Sequence, residues 1–292
     1  MTNFKFKKPL ISVYMPVWNA ATYLPAAIES ILSQTFTRFE FIIIDDASTD
    51  DSWKIIKKYA RLDKRIRAYK NKINLGVSLT SNIAIAHARC QYLARMDADD
   101  ISVSNRLEKQ IQFLRKNQSV IAVGSQCICI DKDNKIIGYK NFPTDSSKLS
   151  KMIFWAVPMQ QPSMMINTKK LPKKFVWYDK NQSSAEDINL MFQLLKFGQL
   201  SNLPDYGLYY RQLPQSLSHR NPKKTFALTL QSRLLALKNG YRPTFLSILI
   251  NLAQIFAISI LPSNTIYHLW YLVRGVTQPK SNFPVVSFSK SV

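Results

Sequence analysis

The sequence predicts an α/β protein built on a mostly parallel central sheet, and three observations carry that prediction. Short apolar runs alternate with amphipathic helical stretches from Leu10 to Lys116. Two of those runs end abruptly in clustered carboxylates, Asp45-Asp46 and Asp97-Ala98-Asp99-Asp100. No internal repeat or low-complexity tract interrupts the alternation. Strands alternating with helices of this length form right-handed β-α-β units, whose strands lie parallel.

Leu10 to Met15 reads as the first strand, closed by Pro16. Tyr23 to Ser33 then sets Leu24, Ala27, Ile28, Ile31 and Leu32 on one helical face. Phe39 to Ile44 is a second strand. Asp45 to Asp51 supplies turn and N-cap chemistry before a helix through Tyr59 and Ala60. Ile66 to Tyr69 is a third strand, Asn71 to Gly76 a loop, and Val77 to Ala88 a helix. Tyr92 to Met96 is the fourth strand and Ser104 to Lys116 the next helix. Beyond Ile121 the pattern changes. Val120 to Ile130 and Ile136 to Tyr139 flank the polar turn Asp131 to Lys135 as a hairpin. Pro158 to Ile166 is irregular, then extended. Ser184 to Asp187 caps a helix running from Ile188 to about Phe197, which Gly198 stops. Pro204 to Arg211 is a last strand.

With 292 residues and 46% hydrophobic content the chain can bury a full core, which excludes a disordered protein. A net charge of +22 calls for an anionic partner: nucleic acid, an anionic membrane surface or phosphorylated small molecules. The excess is uneven, because Asp205 is the last acidic residue and every later charge is basic. Three cysteines, Cys90, Cys127 and Cys129, make no disulfide framework, and Cys-x-Cys is too close for a usual zinc half-site. They read as reduced structural thiols of a cytoplasmic protein. The N-terminus lacks the apolar core of a signal peptide, so secretion by that route is not expected. The histidines, His87, His219 and His268, are scattered and read as structural.

Ionised carboxylates are rarely buried without partners. Those ending the second and fourth strands therefore belong at the carboxyl edge of the sheet, where open α/β sheets bind ligands. Asp97 and Asp99, spaced by Ala98, offer hard oxygens to a divalent cation that takes its other ligands from water and substrate phosphates. An isolated D-x-D is also what a solvated acidic turn looks like. A second acidic turn, Asp45-Asp46, on the same edge converts two weak motifs into one candidate site.

Five motifs occur in order: Ile11-Ser12-Val13-Tyr14-Met15-Pro16-Val17-Trp18-Asn19, Ile44 to Asp50, Asn74-Leu75-Gly76, Asp97 to Asp100, and Glu186-Asp187. Over Leu10 to Arg211 the chain resembles the family 2 glycosyltransferases, inverting enzymes of the GT-A fold. The resemblance implies that Val17, Trp18 and Asp46 hold the nucleotide base. It places Asn74, Asp97 and Ala98 near the ribose and phosphates, Asp99 on a Mn²⁺ or Mg²⁺ ion, and Asp187 as the general base. Gln161 and Glu186 fall on the acceptor side. Two positions depart from the pattern: Gln161 stands where many members carry His, and Cys90 where Gly often precedes the D-x-D strand. The Gln-x-x-Arg-Trp sequence of processive synthases is absent, which implies one sugar per visit. Structural alternatives stay open at this point. Asp46 and Asp50 have the chemistry of helix caps, Glu186-Asp187 that of first-turn acids favoured by the helix dipole, and Trp18 that of a core residue.

The organisation expected is a catalytic domain over residues 1–215, with a nucleotide half to about residue 120, and a basic, apolar helical region over 216–292. Thr244 to Leu261 is apolar, with Ser247, Asn251 and Gln254 forming a polar seam at helical spacing. Basic flanks such as Lys238 and Arg242 suit an interfacial helix on anionic lipid. The alternatives are a helix packed on the catalytic domain or a membrane span. The leading expectation is a bacterial enzyme, peripheral on the cytoplasmic face of the membrane, that moves one sugar from a nucleotide donor, UDP-linked, to a saccharide acceptor. The acceptor expected is a lipid carrier or lipooligosaccharide. A nucleic-acid-binding protein is the competing class, and the sequence lacks the aromatic-basic stacking or helix-turn-helix pattern it needs. A nucleotidyltransferase would need a Gly-rich, Lys/Arg-bearing phosphate loop after the first strand, and Pro16-Val17-Trp18-Asn19 is not one.

Overall fold

The computed structural model describes residues 8–179, 185–213, 222–262, 265 and 276–277. The chain runs β1 (Ile11–Val17), α1 (Leu24–Leu32), β2 (Phe39–Asp45), α2 (Ser52–Leu62), β3 (Ile66–Lys70), α3 (Gly76–Ala86) and β4 (Tyr92–Arg95). There follow β5 (Ile101–Ser102), α4 (Arg106–Lys116), β6 (Val120–Ile130), β7 (Ile136–Lys140), α5 (Ser146–Met152) and β8 (Met165–Asn167). The last elements are α6 (Glu186–Leu194), β9 (Gln199–Arg211), α7 (Pro222–Lys238), α8 (Phe245–Ile260) and β10 (Val276–Thr277).

The sheet order is β10-β7-β6-β8-β4-β1-β2-β3, with β9 alongside β6 and pairing β5. It is parallel from β3 through β4 and between β6 and β9. The remaining pairings are antiparallel. The β-α-β alternation thus accounts for the parallel region from β1 to β4. Beyond it, β8 slots between β4 and β6 in the opposite sense, reached through an irregular segment instead of the long crossover a parallel neighbour requires.

Strand alternation divides the core between the two faces of the sheet. Val13, Met15, Phe41 and Ile43 pack with Leu24 and Ile28 of α1, Ile56 of α2 and Leu107 and Ile111 of α4. Tyr14, Ile42 and Ile44 face the other way, toward Ala84 and Ile85 of α3 and the α6 residues Ile188, Leu190 and Met191. Cys127 and Cys129 lie buried on β6, where burial pushes both thiols up and leaves them inert.

Several boundaries differ from those read in the sequence. Pro16 does not close β1, which continues to Val17 against Asp45. Tyr14 offers its carbonyl to Met96 on the β4 side, and Val17 offers its own to Asp46 on the β2 side. By alternation Pro16 faces the β4 side, past the last β1–β4 pair, so its missing N–H breaks no ladder bond. β9 begins at Gln199, ahead of Pro204, and absorbs that proline through register irregularities against β6. α6 starts at Glu186 and ends at Leu194, so Glu186 and Asp187 are in its first turn and Phe197 lies outside it. Helices α5 and α7 carry too little apolar periodicity to stand out in the sequence.

The polar seam of α8 turns inward. Arg233 of α7, almost fully buried, donates to Asn251 Oδ1 at 2.7 Å and Gln254 Oε1 at 3.0 Å. Asn251 and Gln254 donate in turn to the carbonyls of Phe154 and Trp155, and Ser247 to that of Lys151. The seam therefore cements α8 to the segment at and just beyond the end of α5. Of the readings open for this helix, packing on the catalytic domain accounts for its polar side.

Candidate active site

Both acidic turns reach the same edge of the sheet. Val17, Asp45 and Lys70 end β1, β2 and β3 in register, and Arg95 ends β4 beside Tyr14. The loops after β1 and β2 are stapled together. The Asn19 backbone N–H donates to Ser48 Oγ at 3.0 Å and that of Ala20 to Ser52 Oγ at 2.9 Å, while Asn19 Oδ1 accepts from the Thr49 backbone at 2.9 Å. Asn19 and Ala47 take left-handed backbone angles to make these turns, with φ of 47° and 57°. The result buries Val17 and leaves Trp18 52% exposed on the rim. Trp18 is not a core residue.

Asp46 is a cap, though of a helix distant in sequence. Its Oδ1 accepts from the Leu75 backbone at 2.9 Å and Asn71 Nδ2 at 2.7 Å, and its Oδ2 from the Gly76 backbone at 2.9 Å. Gly76 needs its positive φ of 81° to present that N–H. Asn74 Nδ2 reaches the Asp46 carbonyl at 3.3 Å. Asp46 and Asn74 are thus brought together at the amino end of α3. Asp50, by contrast, accepts from the Ser52 backbone at 2.9 Å at the start of α2 and from Ala21 at 2.9 Å.

A buried arginine organises the next layer. Arg95 is 3% exposed, and its Nε donates to Asp97 Oδ1 at 2.7 Å while NH1 donates to Ser81 Oγ of α3 at 2.6 Å. Its guanidinium lies over the Tyr14 ring at 5.4 Å. Tyr14 and Tyr178 share a hydroxyl–hydroxyl bond of 2.8 Å, and Gln161 Nε2 donates to the Tyr178 hydroxyl at 3.2 Å. Arg106, also buried, donates to the carbonyls of Arg95 at 3.3 Å and Pro162 at 2.5 Å, which fixes the Gln161 turn against β4. One polar chain therefore runs from Asp97 through Arg95, Tyr14 and Tyr178 to Gln161. Electrostatically it reaches Glu186, whose ionisation is favoured by Arg95 and opposed by Asp97.

Asp99 and Asp100 are braced from β9. The Arg211 backbone N–H donates to Asp100 Oδ1 at 2.8 Å and its Nε to the Asp99 carbonyl at 2.8 Å. Its other nitrogens hold the Asp131 carbonyl and Asn134 Oδ1, both at 2.7 Å. Ala98 is buried between the acids. Burial and then repulsion from Asp97 push the Asp99 carboxyl up to about 6, and Asp100 is pushed up too. Asp100 Oδ2 finds no hydrogen-bond partner among the described residues. Three crowded carboxylates with hard oxygens at the end of β4, one of them with an unpartnered buried oxygen, fit a divalent cation. No group of three or more His, Cys, Asp or Glu among the described residues forms a closed cage, so diphosphate oxygens would have to complete the ligand set.

At the start of α6, Ala185 adopts a left-handed φ of 58° immediately before Glu186 and Asp187. Burial, and then repulsion from Asp187, push Glu186 up to about 7 from the ordinary 4.5. A carboxyl raised in the fold holds its proton more tightly than in the unfolded chain. Its contribution is then complete below about pH 4.5 and is lost as the pH rises through about 7. Thermal unfolding midpoints should accordingly fall between about pH 5 and pH 8, and Glu186→Gln should flatten that fall. An equal fall in the variant would remove Glu186 from the titration.

Arg95, Tyr14, Tyr178 and Arg211 escape a motif reading. Arg95 carries a usable signal, since a lone cation in a buried strand needs a partner, and Asp97 at i+2 lies on the same side of the chain. Tyr178 carries none.

The profile of glycosyl transferase family 2 matches residues 12–175. The chain belongs to this family. An uncharacterized Haemophilus influenzae glycosyltransferase is 32% identical over 212 residues, 70% of this chain and 65% of that protein. The UDP-Glc:alpha-D-GlcNAc-diphosphoundecaprenol beta-1,3-glucosyltransferase WfaP of Escherichia coli is 35% identical over 136 residues, 47% of this chain and 53% of that protein. The chain spans less than two thirds of the length of these curated relatives. Among solved structures, S. aureus TarS 1–349 in complex with UDP superposes with a TM-score of 0.64 at 20% identity, covering 82% of this chain and 69% of that one. That likeness establishes the GT-A fold for this family 2 chain. The family match covers four of the five sequence motifs apart from Ile11 at its start, and Glu186-Asp187 lies beyond it.

Proposed function

We propose that this glycosyltransferase is a metal-dependent, inverting enzyme that adds one sugar per visit from a UDP-sugar to a saccharide acceptor on a lipid carrier. The observation that carries this reading is the polar chain from Asp97 through Arg95, Tyr14 and Tyr178 to Gln161, whose charges are felt at Glu186 and so link the acids that follow β4 to those that open α6. The UDP bound to TarS and the UDP-glucose and diphosphoundecaprenol substrates in the name of WfaP support the donor and acceptor classes.

In this reading Trp18, Val17 and Asp46 line the base, Asn74, Asp97 and Ala98 the ribose and phosphates. Asp99, with Asp97, would hold a Mn²⁺ or Mg²⁺ ion, which when bound supplies Lewis-acid stabilisation of the departing diphosphate. Arg95 fixes the orientation of Asp97. Asp187 accepts the proton of the acceptor hydroxyl as that oxygen bonds to the anomeric carbon and the bond to the diphosphate oxygen breaks. Displacement from the face opposite the leaving group inverts the anomeric configuration. Residues 1–215 act as the catalytic unit in this scheme and 216–292 as a basic appendage.

A donor screen with the full chain tests the proposal. Nucleoside diphosphate release should require Mn²⁺ or Mg²⁺, be fastest with one UDP-sugar, and yield a product whose anomeric configuration by NMR is opposite to the donor's. Retention of configuration would rule out a single displacement.

A further inference from the structure

Helix α8 has its polarity reversed relative to an ordinary surface helix. Its polar residues Ser247 and Asn251 are 2% and 5% exposed, locked to α5, its C-terminal segment and Arg233. Its apolar residues are the ones turned out. Phe245 is 75% exposed, Leu246 65%, Leu252 57%, Phe256 67% and Ile260 61%, with Ile248 and Leu249 beside them. Seven large apolar side chains on one 16-residue helix form a patch that a monomeric protein in water does not ordinarily show. The inward seam also prevents the helix from rolling to hide them, because Asn251, Gln254 and the buried Arg233 would then lose their partners.

We infer that the outer face of α8 is a docking surface for an anionic lipid bilayer, into which it inserts in the plane of the headgroups while its seam stays bonded to the protein. Charge selects this occupant over another protein. The exposed charges on α5, on α7 and just before α8 are predominantly cationic: Lys148 and Lys151 on α5 against Asp145 at its cap, Lys223, Lys224 and Lys238 on α7, and Arg242 just before α8. No acidic residue follows Asp205 in the sequence. A broad apolar face ringed by Lys and Arg is the pattern that combines acyl-chain burial with attraction to anionic headgroups. Among the described residues no helix is long and apolar enough to cross a membrane, and a helix bonded to the protein through its seam can meet a bilayer only with its outer face. The interfacial helix expected from the sequence is kept in this inference, with a partner now assigned to its polar side. The seam holds the protein and the apolar side meets the membrane.

The test is flotation of the full chain with phosphatidylglycerol-containing vesicles and with pure phosphatidylcholine vesicles, over a salt series. Binding should be strong on the anionic vesicles, weak on the neutral ones, and should fall with salt. The variant combining Leu249→Ser, Leu252→Ser and Phe256→Ser changes only outward side chains. It should lose at least about tenfold in vesicle affinity while keeping the wild-type melting temperature. Lys238→Gln with Arg242→Gln should weaken anionic binding by about fivefold per charge and flatten the salt dependence. Equal flotation of the triple variant and the wild type would overturn the inference. So would failure of the full chain to bind, or a lipid-free dimer by sedimentation that the triple variant dissociates, which would assign the face to a second copy.

Discussion

Asp99→Ala abolishes the dependence of donor binding on Mn²⁺. That is the expected result of isothermal titration of a UDP-sugar with and without the ion. The loss in metal-dependent affinity should exceed the roughly 10–100-fold seen on removing groups that merely support metal ligands. The variant also separates a ligand from a structural acid. Asp99 is raised to about 6 by burial and by Asp97, so in the metal-free protein its charge is a burden at neutral pH. Removing it should leave the melting temperature of the metal-free protein unchanged or higher. The wild type alone should then gain stability on adding Mn²⁺, since an ion that binds only the folded state shifts the equilibrium by mass action. A variant that melts earlier yet keeps its response to Mn²⁺ would make Asp99 a structural residue.

Asp187→Asn should lower turnover by about 10²–10⁴-fold with donor affinity nearly intact, the pattern of a group used only in the transition state. The amide keeps the shape of the side chain and can still accept at its oxygen from the Ile188 backbone, which Asp187 Oδ1 meets at 2.8 Å. A structural role would therefore survive the change, whereas proton abstraction would not. Glu186→Gln should cost much less, because the neutral amide resembles the protonated form that burial already favours below about pH 7. Turnover at the wild-type level in Asp187→Asn would reduce Asp187 to a first-turn acid of α6.

Much of this arrangement is legible in the chain because local rules govern it. Runs such as Phe39 to Ile44 and Tyr92 to Met96 are too apolar to be anything but buried strands, and the acids that end them must lie at the edge. The alternation then places both acidic turns on the same side, and the structure does so. The hairpin of β6 and β7 about Asp131 to Lys135 follows equally from local turn chemistry.

What was not legible depends on contacts between distant segments. Asp46 has the look of a cap for the helix that follows it, yet its carboxylate serves α3, about 30 residues on. Tyr178 meets Tyr14 across 164 positions, and no period in the sequence encodes such a pair. The seam of α8 shows the same limit differently. Helical spacing correctly groups Ser247, Asn251 and Gln254, and only the partner, a buried Arg233 on another helix, decides which way the group faces.

Among the described residues, the four non-glycine positions with left-handed backbone angles, Asn19, Ala47, Asn134 and Ala185, all border the candidate site or its supports. A side chain in that conformation costs roughly 1–2 kcal/mol, more for branched residues. Against a total stability of about 5–15 kcal/mol this is an appreciable draw. It defines what these positions tolerate when the chain is varied. Glycine relieves that cost at Ala47 and Ala185, but at Asn19 and Asn134 it would also remove the side-chain oxygens that accept from Thr49 and Arg211, and valine, isoleucine and threonine are disfavoured at all four, however well they suit the neighbouring strands. A saturation library would therefore show a narrow tolerance at Ala47 and Ala185 that mimics catalytic importance, although neither methyl group does any chemistry.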